Sequence, residues 1–268
     1  MSFDFLPKCL QFFIINLPRR IDRWVAIEAE MHKHGITRYT RFHATDGRNL
    51  DPAQCKDLSA FGLQRLQLPD RDKIWGMDLT TGALGCALSH FSLWRQIAAM
   101  RLEYAIIVED DTEFSPDFTR RLRMAWRDLP AGWEFGFLSG LDTANTCQHM
   151  MVGPRISLVP EMYKTTNLYA ITLRGAQKML EKCVPLHFQL DTQITLGSEP
   201  LSTNRLFANM RQTSMKPDTM AVSSPRMYAC VPPLAIQRTS FGSDIQFSLP
   251  EGFDQQEIAR RKQAGWNV

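Results

Sequence analysis

The sequence lacks paired cysteines, long hydrophobic runs and an excess of charge of either sign, and each absence excludes a class of protein. Its six cysteines are scattered, which predicts reduced thiols in a cytoplasmic protein rather than a disulfide framework or a zinc site. The apolar run over residues 12–17 is far shorter than the roughly 20 residues that span a bilayer, and it resembles no secretion signal. The net charge of +3 comes from interspersed charges, so we expect no nucleic-acid partner.

No internal repeat or low-complexity tract divides the chain. Hydrophobic residues make up 44% and charged residues 22% of its 268 residues, which is average for a soluble globular protein. We therefore predict a single domain over 1–268, with a core over about 12–245 and a polar helix or tail over 246–268.

Short apolar runs alternate with helical patterns, which predicts an α/β fold. The runs over 11–17 and 104–108 are typical of strands buried on both faces of a parallel sheet. Apolar residues at spacings of three and four predict a helix between them, over 84–100. Further strands are predicted over 133–138 and 168–172, whereas 49–78 shows no clear period and predicts irregular structure. The expected architecture is a mostly parallel central sheet flanked by helices.

Three carboxylates, Glu109, Asp110 and Asp111, directly follow the strand predicted over 104–108. In an open α/β sheet, ligands bind outside the carboxyl ends of the strands. Alternate residues of an extended segment point the same way, so Glu109 and Asp111 would face one object and Asp110 the other side. Two carboxylates together suit Mn²⁺ or Mg²⁺, with substrate phosphates completing the coordination. The same acids would also suit the start of a solvated loop or a helix cap.

Two glycines, Gly82 and Gly85, lie at the start of the helix that precedes this strand. They allow close backbone approach, and the free amides of a helix N-terminus favour an anion such as a diphosphate. Close helix packing explains them equally well. On the same helix, His90 fits a hydrogen-bonded buried histidine better than a ligand when it is considered alone.

Polar side chains also follow the first predicted strand. Asn16 could hydrogen-bond a base or ribose, and Arg19 and Arg23 could pair with phosphate. A solvated first helical turn is the alternative for the arginines. Asp46, in a later turn, is either a loop acid or a ribose contact.

Taken together in this order, these residues resemble glycosyltransferase family 25, which includes lipooligosaccharide and collagen galactosyltransferases. The resemblance extends from about residue 12 to residue 245. It rests on the following segments: FIINL at 13–17 with Arg19 and Arg23, ATDG at 44–47, GALGCALSH at 82–90, AIIVEDD at 105–111, GWEF at 132–135, YAI at 169–171 with Gly175 and Ala176, then Asp191, and finally Pro233, Gln237, Ser243 and Asp244.

The resemblance implies a GT-A fold, a nucleotide-diphosphate sugar donor, most often UDP-galactose, and a divalent Mn²⁺ or Mg²⁺ ion held by Glu109 and Asp111. It also implies a donor pocket. The residues that it assigns to this pocket are Asn16, Leu17, Arg19, Arg23, Asp46, Gly82, Gly85, Ser89, His90 and Asp110.

The family is regarded as inverting, which implies a single displacement at the anomeric carbon with a transition state that resembles an oxocarbenium ion. One base must take the proton of the acceptor hydroxyl. The resemblance favours Asp191 as this base and leaves Asp142 as the alternative. Judged without the resemblance, Asp191 suits a helix cap better.

The expected function is metal-dependent transfer of a hexose to a bacterial lipopolysaccharide-type glycan or glycolipid from the cytoplasmic side. The basic cluster over 260–262 would give only a weak peripheral association with a membrane. A sugar nucleotidyltransferase is one alternative, although it would be expected to carry a glycine- and lysine-rich loop where this chain has Pro18, Arg19 and Arg20. A non-catalytic relative that serves in binding or adhesion is the other, although it would typically have lost the acidic motif.

Overall fold

A seven-stranded sheet runs through the centre of the protein, as seen in a computed structural model that describes residues 6–7, 9–74, 76–142, 145–196 and 224–245. The strands are β1 (Gln11–Asn16), β2 (Thr40–His43), β3 (Tyr104–Glu109), β4 (Thr112–Phe114), β5 (Phe135–Phe137), β6 (Ile156–Leu158), β7 (Leu168–Thr172), β8 (Met227–Cys230) and β9 (Ala235–Gln237). The helices are α1 (Ile21–Lys33), α2 (Ala60–Leu66), α3 (Thr81–Ala99), α4 (Phe118–Asp128), α5 (Leu173–Cys183) and α6 (Leu190–Thr195).

The strand order in the main sheet is β2-β1-β3-β7-β5-β8-β6, and β4 and β9 form a separate antiparallel pair. Strand β1 is parallel to β2 and β3, β7 is antiparallel to both β3 and β5, β8 is parallel to β5, and β6 is antiparallel to β8. Five of the seven strands therefore point the same way, and only β7 and β6 point the other way. The predicted α/β class with a mostly parallel sheet is confirmed.

Residues 105–108 of strand β3 are all apolar and buried because helices cover both faces of the strand. Ala105 and Ile107 belong to the core that contains residues of α3 and α5, while Ile106 and Val108 belong to the core that contains residues of α1 and α4. Full burial of the larger side chains, Ile106, Ile107 and Val108, contributes about 1.5–3 kcal/mol each. By the same alternation, Glu109 at the end of β3 falls on the α3 face.

The stretch predicted to be irregular, residues 49–78, contains the short helix α2. Ser59 caps this helix, since its Oγ accepts a hydrogen bond of 2.9 Å from the Gly62 amide. A helix of two turns is too short to show a period of apolar residues, so the pattern could not reveal it. The predicted C-terminal helix or tail over 246–268, with the basic cluster over 260–262, lies outside the described residues. No helix within the described ranges has both the length and the apolar character that a membrane crossing requires.

Glu30 of α1 fastens the small β4–β9 sheet to the main body. Its buried carboxylate accepts hydrogen bonds from the Phe114 amide at 3.0 Å and from Arg238 at 3.1 Å, and it lies 3.5 Å from the Lys33 ammonium. Burial raises the pKa of Glu30, but the contact with His34 and the two nearby cations more than offset this, so the pKa is lowered overall.

Glu30→Gln is expected to lower the free energy of unfolding by about 2 kcal/mol near neutral pH, because charge-assisted hydrogen bonds are lost. The pKa of Glu30 is lower in the folded than in the unfolded protein, so its contribution is complete above the ordinary value of 4.5 and is lost as the pH falls through the folded value. Urea unfolding of both proteins across pH would measure the difference. If the difference in unfolding free energy between the two proteins were the same at strongly acidic and at neutral pH, the lowered pKa of Glu30 would be wrong.

Candidate functional site

A cavity of about 300 Å³ opens at the carboxyl ends of β1 and β3, where a ligand is expected in an open α/β sheet. Its volume is at the lower end of the range for small-molecule sites. Residues from five parts of the chain line it: Ile15, Leu17, Arg19 and Arg23; Ala44, Thr45, Asp46, Gly47 and Arg48; Thr81, Gly82, Cys86, Ser89 and His90; Glu109, Asp110 and Asp111; and Gln237, Ser243, Asp244 and Ile245.

The structure brings most of the predicted donor and metal residues together around this cavity. Those that line it are Leu17, Arg19, Arg23, Asp46, Gly82, Ser89, His90, Glu109, Asp110 and Asp111. Asn16 and Gly85 lie behind its wall and support it. The two candidate bases, Asp191 and Asp142, do not line it.

Asn16 joins the end of β1 to the acidic motif. Its buried side chain donates a hydrogen bond of 2.6 Å to Asp110 Oδ2 and one of 3.2 Å to the Arg20 carbonyl, and its Oδ1 accepts one from Arg41 Nε at 3.1 Å. All of its polar atoms are therefore occupied by protein. Asn16 acts here by holding Asp110 rather than by facing the cavity.

The glycines at the start of α3 permit close packing. A Cβ atom on Gly85 would lie 2.6 Å from the Gly47 nitrogen, and one on Gly82 would lie 1.9 Å from the Asp244 carbonyl oxygen. Ser89 completes the contact, because its Oγ donates to the Gly85 carbonyl at 2.7 Å and accepts from the Thr45 amide at 2.8 Å. These residues fix the walls of the cavity around the loop that follows β2.

Arg23 is buried among acids. Its NH1 group donates to Asp110 Oδ1 at 3.0 Å and to Asp111 Oδ2 at 3.1 Å, and its NH2 group donates to the Gly242 carbonyl at 2.6 Å. Arg19 is 32% exposed and also pairs with protein carboxylates, Asp46 at 2.8 Å and Asp244 at 2.7 Å. Arg23 therefore balances the acidic motif, while Arg19 lies nearer to solvent at the rim.

The three acids do not alternate as an extended segment would. The chain turns at residues 110–111, so Asp110 and Asp111 both reach Arg23 while Glu109 stays on the α3 face. There Glu109 Oε1 accepts a hydrogen bond of 2.7 Å from Thr166 Oγ1 and lies 3.2 Å from His90 Nε2. Burial raises the pKa of Glu109, but His90, Thr166 and the charge of Arg23 together lower it below its ordinary value. These contacts therefore favour the ionised form of Glu109.

Asp111 is the acid whose environment fits a cation. Its Oδ2 accepts hydrogen bonds from Arg23 and from Gln237 at 3.0 Å, but its buried Oδ1 has no hydrogen-bond partner in the part of the chain that the structure describes. Burial and then the charge of Glu109 raise the pKa of Asp111 to about 7. A buried carboxylate oxygen without a donor, beside a second ionised carboxylate, is stabilised by a bound cation. Glu109 and Asp111 thus fit the divalent ion that the resemblance implies.

Cys86 offers a different set of ligand atoms. Its sulfur, a ring nitrogen of His90 and a carboxylate oxygen of Glu109 all lie within 4.8 Å of one another. Burial and the surrounding carboxylates raise the pKa of the Cys86 thiol well above its ordinary value, so the thiol stays protonated at neutral pH and is a poor ligand. The paired carboxylates are the better set for a hard cation.

Asp191 lies in the first turn of α6 and is held by backbone amides. Its Oδ2 accepts a hydrogen bond of 3.1 Å from Thr165 and its Oδ1 accepts one of 2.6 Å from Thr192, while Lys164 Nζ lies 3.7 Å away. Its charge adds to those of the acidic motif in raising the pKa of Cys86. Thr165 joins Asp191 to the segment whose next residue, Thr166, donates to Glu109, so Asp191 lies near the acidic motif without lining its cavity.

Asp142 lines a second cavity, of about 410 Å³. Its Oδ2 accepts a hydrogen bond of 2.6 Å from the Cys147 amide. Gln237 borders both cavities and donates to Asp111, so the two cavities adjoin at this side chain. Gln237 and Thr166 reach the acidic motif from distant parts of the sequence, and neither was predicted as a contact of a particular acid.

Residues 9–152 match the family model described as "Glycosyltransferase family 25 (LPS biosynthesis protein)". Procollagen galactosyltransferase 2 of Mus musculus is 32% identical over 185 residues, which cover 67% of this chain and 28% of that protein. "Inactive glycosyltransferase 25 family member 3" of Mus musculus is also 32% identical, over 194 residues that cover 71% of this chain and 31% of that protein. The chain thus spans less than a third of the length of these relatives.

Among solved structures, a glycosyltransferase involved in glycosylation of the major capsid of PBCV-1 covers 95% of this chain and 99% of its own. Its TM-score is 0.37 and its sequence identity 9%.

Proposed function

Because this chain belongs to glycosyltransferase family 25, we propose that it transfers galactose from UDP-galactose to a hydroxyl group of a lipopolysaccharide-type glycan or glycolipid, with Mn²⁺ or Mg²⁺ bound at Glu109 and Asp111. Its α/β sheet is of the GT-A type that the resemblance implied. The single observation that carries the proposal is the buried Oδ1 of Asp111, which has no hydrogen-bond partner among the described residues, on a side chain that lines the same cavity as Glu109.

The charges around the cavity suit a donor that carries a diphosphate. Asp110 and Asp111 share one buried arginine, Arg23, and Glu109 adds a third carboxyl group to the same cavity, so a divalent cation would balance the excess of acids. When bound, the metal would act as a Lewis acid on the departing diphosphate. Arg19 at the rim would exchange its carboxylate partners for phosphate oxygens, with which a guanidinium group forms bidentate pairs.

Asp191 is the base that we propose. Two backbone amides orient its carboxylate, and Lys164 lies close by. In the reaction, the acceptor oxygen forms a bond to the anomeric carbon, the bond from that carbon to the diphosphate oxygen breaks, and the hydroxyl proton passes to Asp191. Asp142 is the weaker candidate, because it lines the second cavity, whereas Asp191 accepts a hydrogen bond from Thr165, whose neighbour Thr166 donates to Glu109.

A binding protein without catalysis is the second candidate function. The observation that favours it is that a mouse relative named as inactive is as similar to this chain as procollagen galactosyltransferase 2 is. The intact acidic motif with its unpartnered oxygen supports the enzyme instead.

We also propose that the protein acts in the cytoplasm, since all six of its cysteines are free thiols.

The purified protein is expected to release UDP from UDP-galactose slowly when water is the acceptor, in the presence of Mn²⁺ and not after chelation by EDTA. Coupled UDP detection would measure this release, with UDP-glucose as a donor control. UDP and Mn²⁺ together are expected to raise the melting temperature more than either alone, since both bind the folded state. Absence of hydrolysis with either donor, together with no thermal shift, would favour the binding role.

A further inference from the structure

A chain of hydrogen bonds runs through the core from Trp94 to the acidic motif. The Trp94 Nε1–H group donates to the Tyr169 hydroxyl at 2.8 Å, this hydroxyl lies 2.8 Å from His90 Nδ1, and His90 Nε2 lies 3.2 Å from Glu109 Oε1. Trp94, Tyr169 and His90 are fully buried. A buried polar chain of this length needs every hydrogen to have an acceptor.

The fold explains why these four side chains meet. His90 and Trp94 are four residues apart on α3 and therefore share one face of the helix. Tyr169 of β7 pairs with Ile107 of the antiparallel strand β3, and the Glu109 amide donates to the Asn167 carbonyl at 2.8 Å. Tyr169 and Glu109 thus project from the same face of the sheet, the face that α3 covers.

The indole sets the direction of the whole chain, because a tryptophan nitrogen can only donate. Burial raises the pKa of Tyr169 well above its ordinary value, so its hydroxyl keeps one proton. With Trp94 donating to the hydroxyl oxygen, the one other partner of this hydroxyl within the described residues is His90 Nδ1. The hydroxyl must therefore donate to Nδ1, since its hydrogen would otherwise be buried without an acceptor. His90 then carries its proton on Nε2, which faces Glu109.

We infer that Trp94 and Tyr169 lock His90 in the Nε2–H form, and that all three act as positioning residues for Glu109. The ring of His90 thereby holds Glu109 with one carboxylate oxygen occupied and the other available to a cation. Glu109 Oε1 accepts from both His90 and Thr166, whereas Oε2 has no hydrogen-bond partner among the described residues. Histidines that contact metal ligands in this way tune the orientation and basicity of the ligand. The role in cation binding rests on the proposed function, but the tautomer does not.

The tautomer can be measured directly in the unmodified protein. With ¹⁵N-labelled histidine, long-range proton–nitrogen spectra at about pH 8 distinguish Nε2–H from Nδ1–H rings. The signals of His90 would be identified among the six histidines by their absence in His90→Gln. We expect the Nε2–H pattern for His90 in the wild type and loss of its dominance in Trp94→Phe. An Nδ1–H ring or a doubly protonated ring in the wild type would overturn the inference.

The effect on the cation site is tested by Tyr169→Phe, which removes only the hydroxyl. Calorimetric titration with Mn²⁺, without any sugar nucleotide, is expected to show an affinity about tenfold or more below that of the wild type. Tyr163→Phe is the matched control, because Tyr163 is also buried but packs against Phe137 outside the hydrogen-bonded chain. This control is expected to bind Mn²⁺ within about twofold of the wild type.

The possible results separate the two proposals. If the wild type binds Mn²⁺ and Tyr169→Phe binds it equally well, the positioning role is wrong while the metal site stands. If the wild type does not bind Mn²⁺ but His90 shows the Nε2–H pattern, the proposed metal site is wrong and the hydrogen-bonded chain still holds Glu109. Should Tyr169→Phe fail to fold, the wild-type tautomer decides the inference alone.

Discussion

Asp111→Asn is expected to abolish galactosyl transfer without unfolding the protein. Arg23 and Gln237 both donate to Asp111 Oδ2, so the oxygen of an asparagine would take that position. Its NH₂ group would then replace Oδ1 and present hydrogens where the cation is proposed to bind. Loss of the ligand and of its charge should lower kcat/KM by about 10³-fold or more, which corresponds to about 4 kcal/mol of transition-state stabilisation.

The fold should tolerate this substitution because ionised Asp111 is unfavourable there. Its pKa is raised to about 7 from an ordinary value of 3.8, so the folded state resists ionisation and the wild type loses stability as the pH rises through this interval. The melting temperature of Asp111→Asn near pH 8 should therefore equal or exceed that of the wild type. Asp117→Asn, at a surface acid paired with Arg120, controls for the amide itself and should keep full activity. A variant at Asp111 that retained more than about a tenth of the wild-type kcat/KM would rule out the metal assignment.

The sequence predicted the frame of the site better than its contacts. An apolar run with no polar alternation correctly predicted that β3 is buried on both faces, and the acids that end it lie at the expected edge of the sheet. The positions of Asp110 and Asp111 could not be predicted, because alternation holds only while the chain is extended and it turns directly after Glu109. The prediction that His90, considered alone, is a buried and hydrogen-bonded histidine agrees with the structure.

The other contacts of the site could not be predicted, because they join segments that are far apart in the sequence. Thr166, Gln237 and Asp244 approach the acids and arginines from positions 55 or more residues along the chain from their partners, and no local pattern encodes such pairs. Arg23 is the clearest example of a residue whose partners could not be predicted from its place in the sequence. Its place after β1 left two interpretations open, a phosphate partner or a solvated helical turn, but burial beside two carboxylates makes it their counter-ion. A charge that neutralises its neighbours should matter to folding as much as to binding.

Arg23→Met is therefore expected to destabilise the protein by about 3–5 kcal/mol, since removing one partner leaves buried charges uncompensated. For a domain of this size the melting temperature should fall by about 6–15 °C. Because the charge of Arg23 lowers the pKa values of Glu109, Asp110 and Asp111, its removal raises them. The destabilisation should then grow from about pH 5 to pH 8, as the acids are forced to ionise.

Mn²⁺ should restore part of this stability near pH 8, because a divalent cation between Glu109 and Asp111 supplies the positive charge that the variant lacks. Calorimetric melting with and without Mn²⁺ would measure this, and Arg120→Met, at an arginine whose side chain is 60% exposed, provides a control that should melt within about 2 °C of the wild type. Arg120→Met keeps the proposed cation site, so Mn²⁺ should raise its melting temperature as it raises that of the wild type. A rise no larger in Arg23→Met than in Arg120→Met would mean that Mn²⁺ does not compensate for the lost guanidinium group. A larger rise in Arg23→Met requires that the cation and the guanidinium group balance the same carboxylates, since only a shared set of charges can make one compensate for the other.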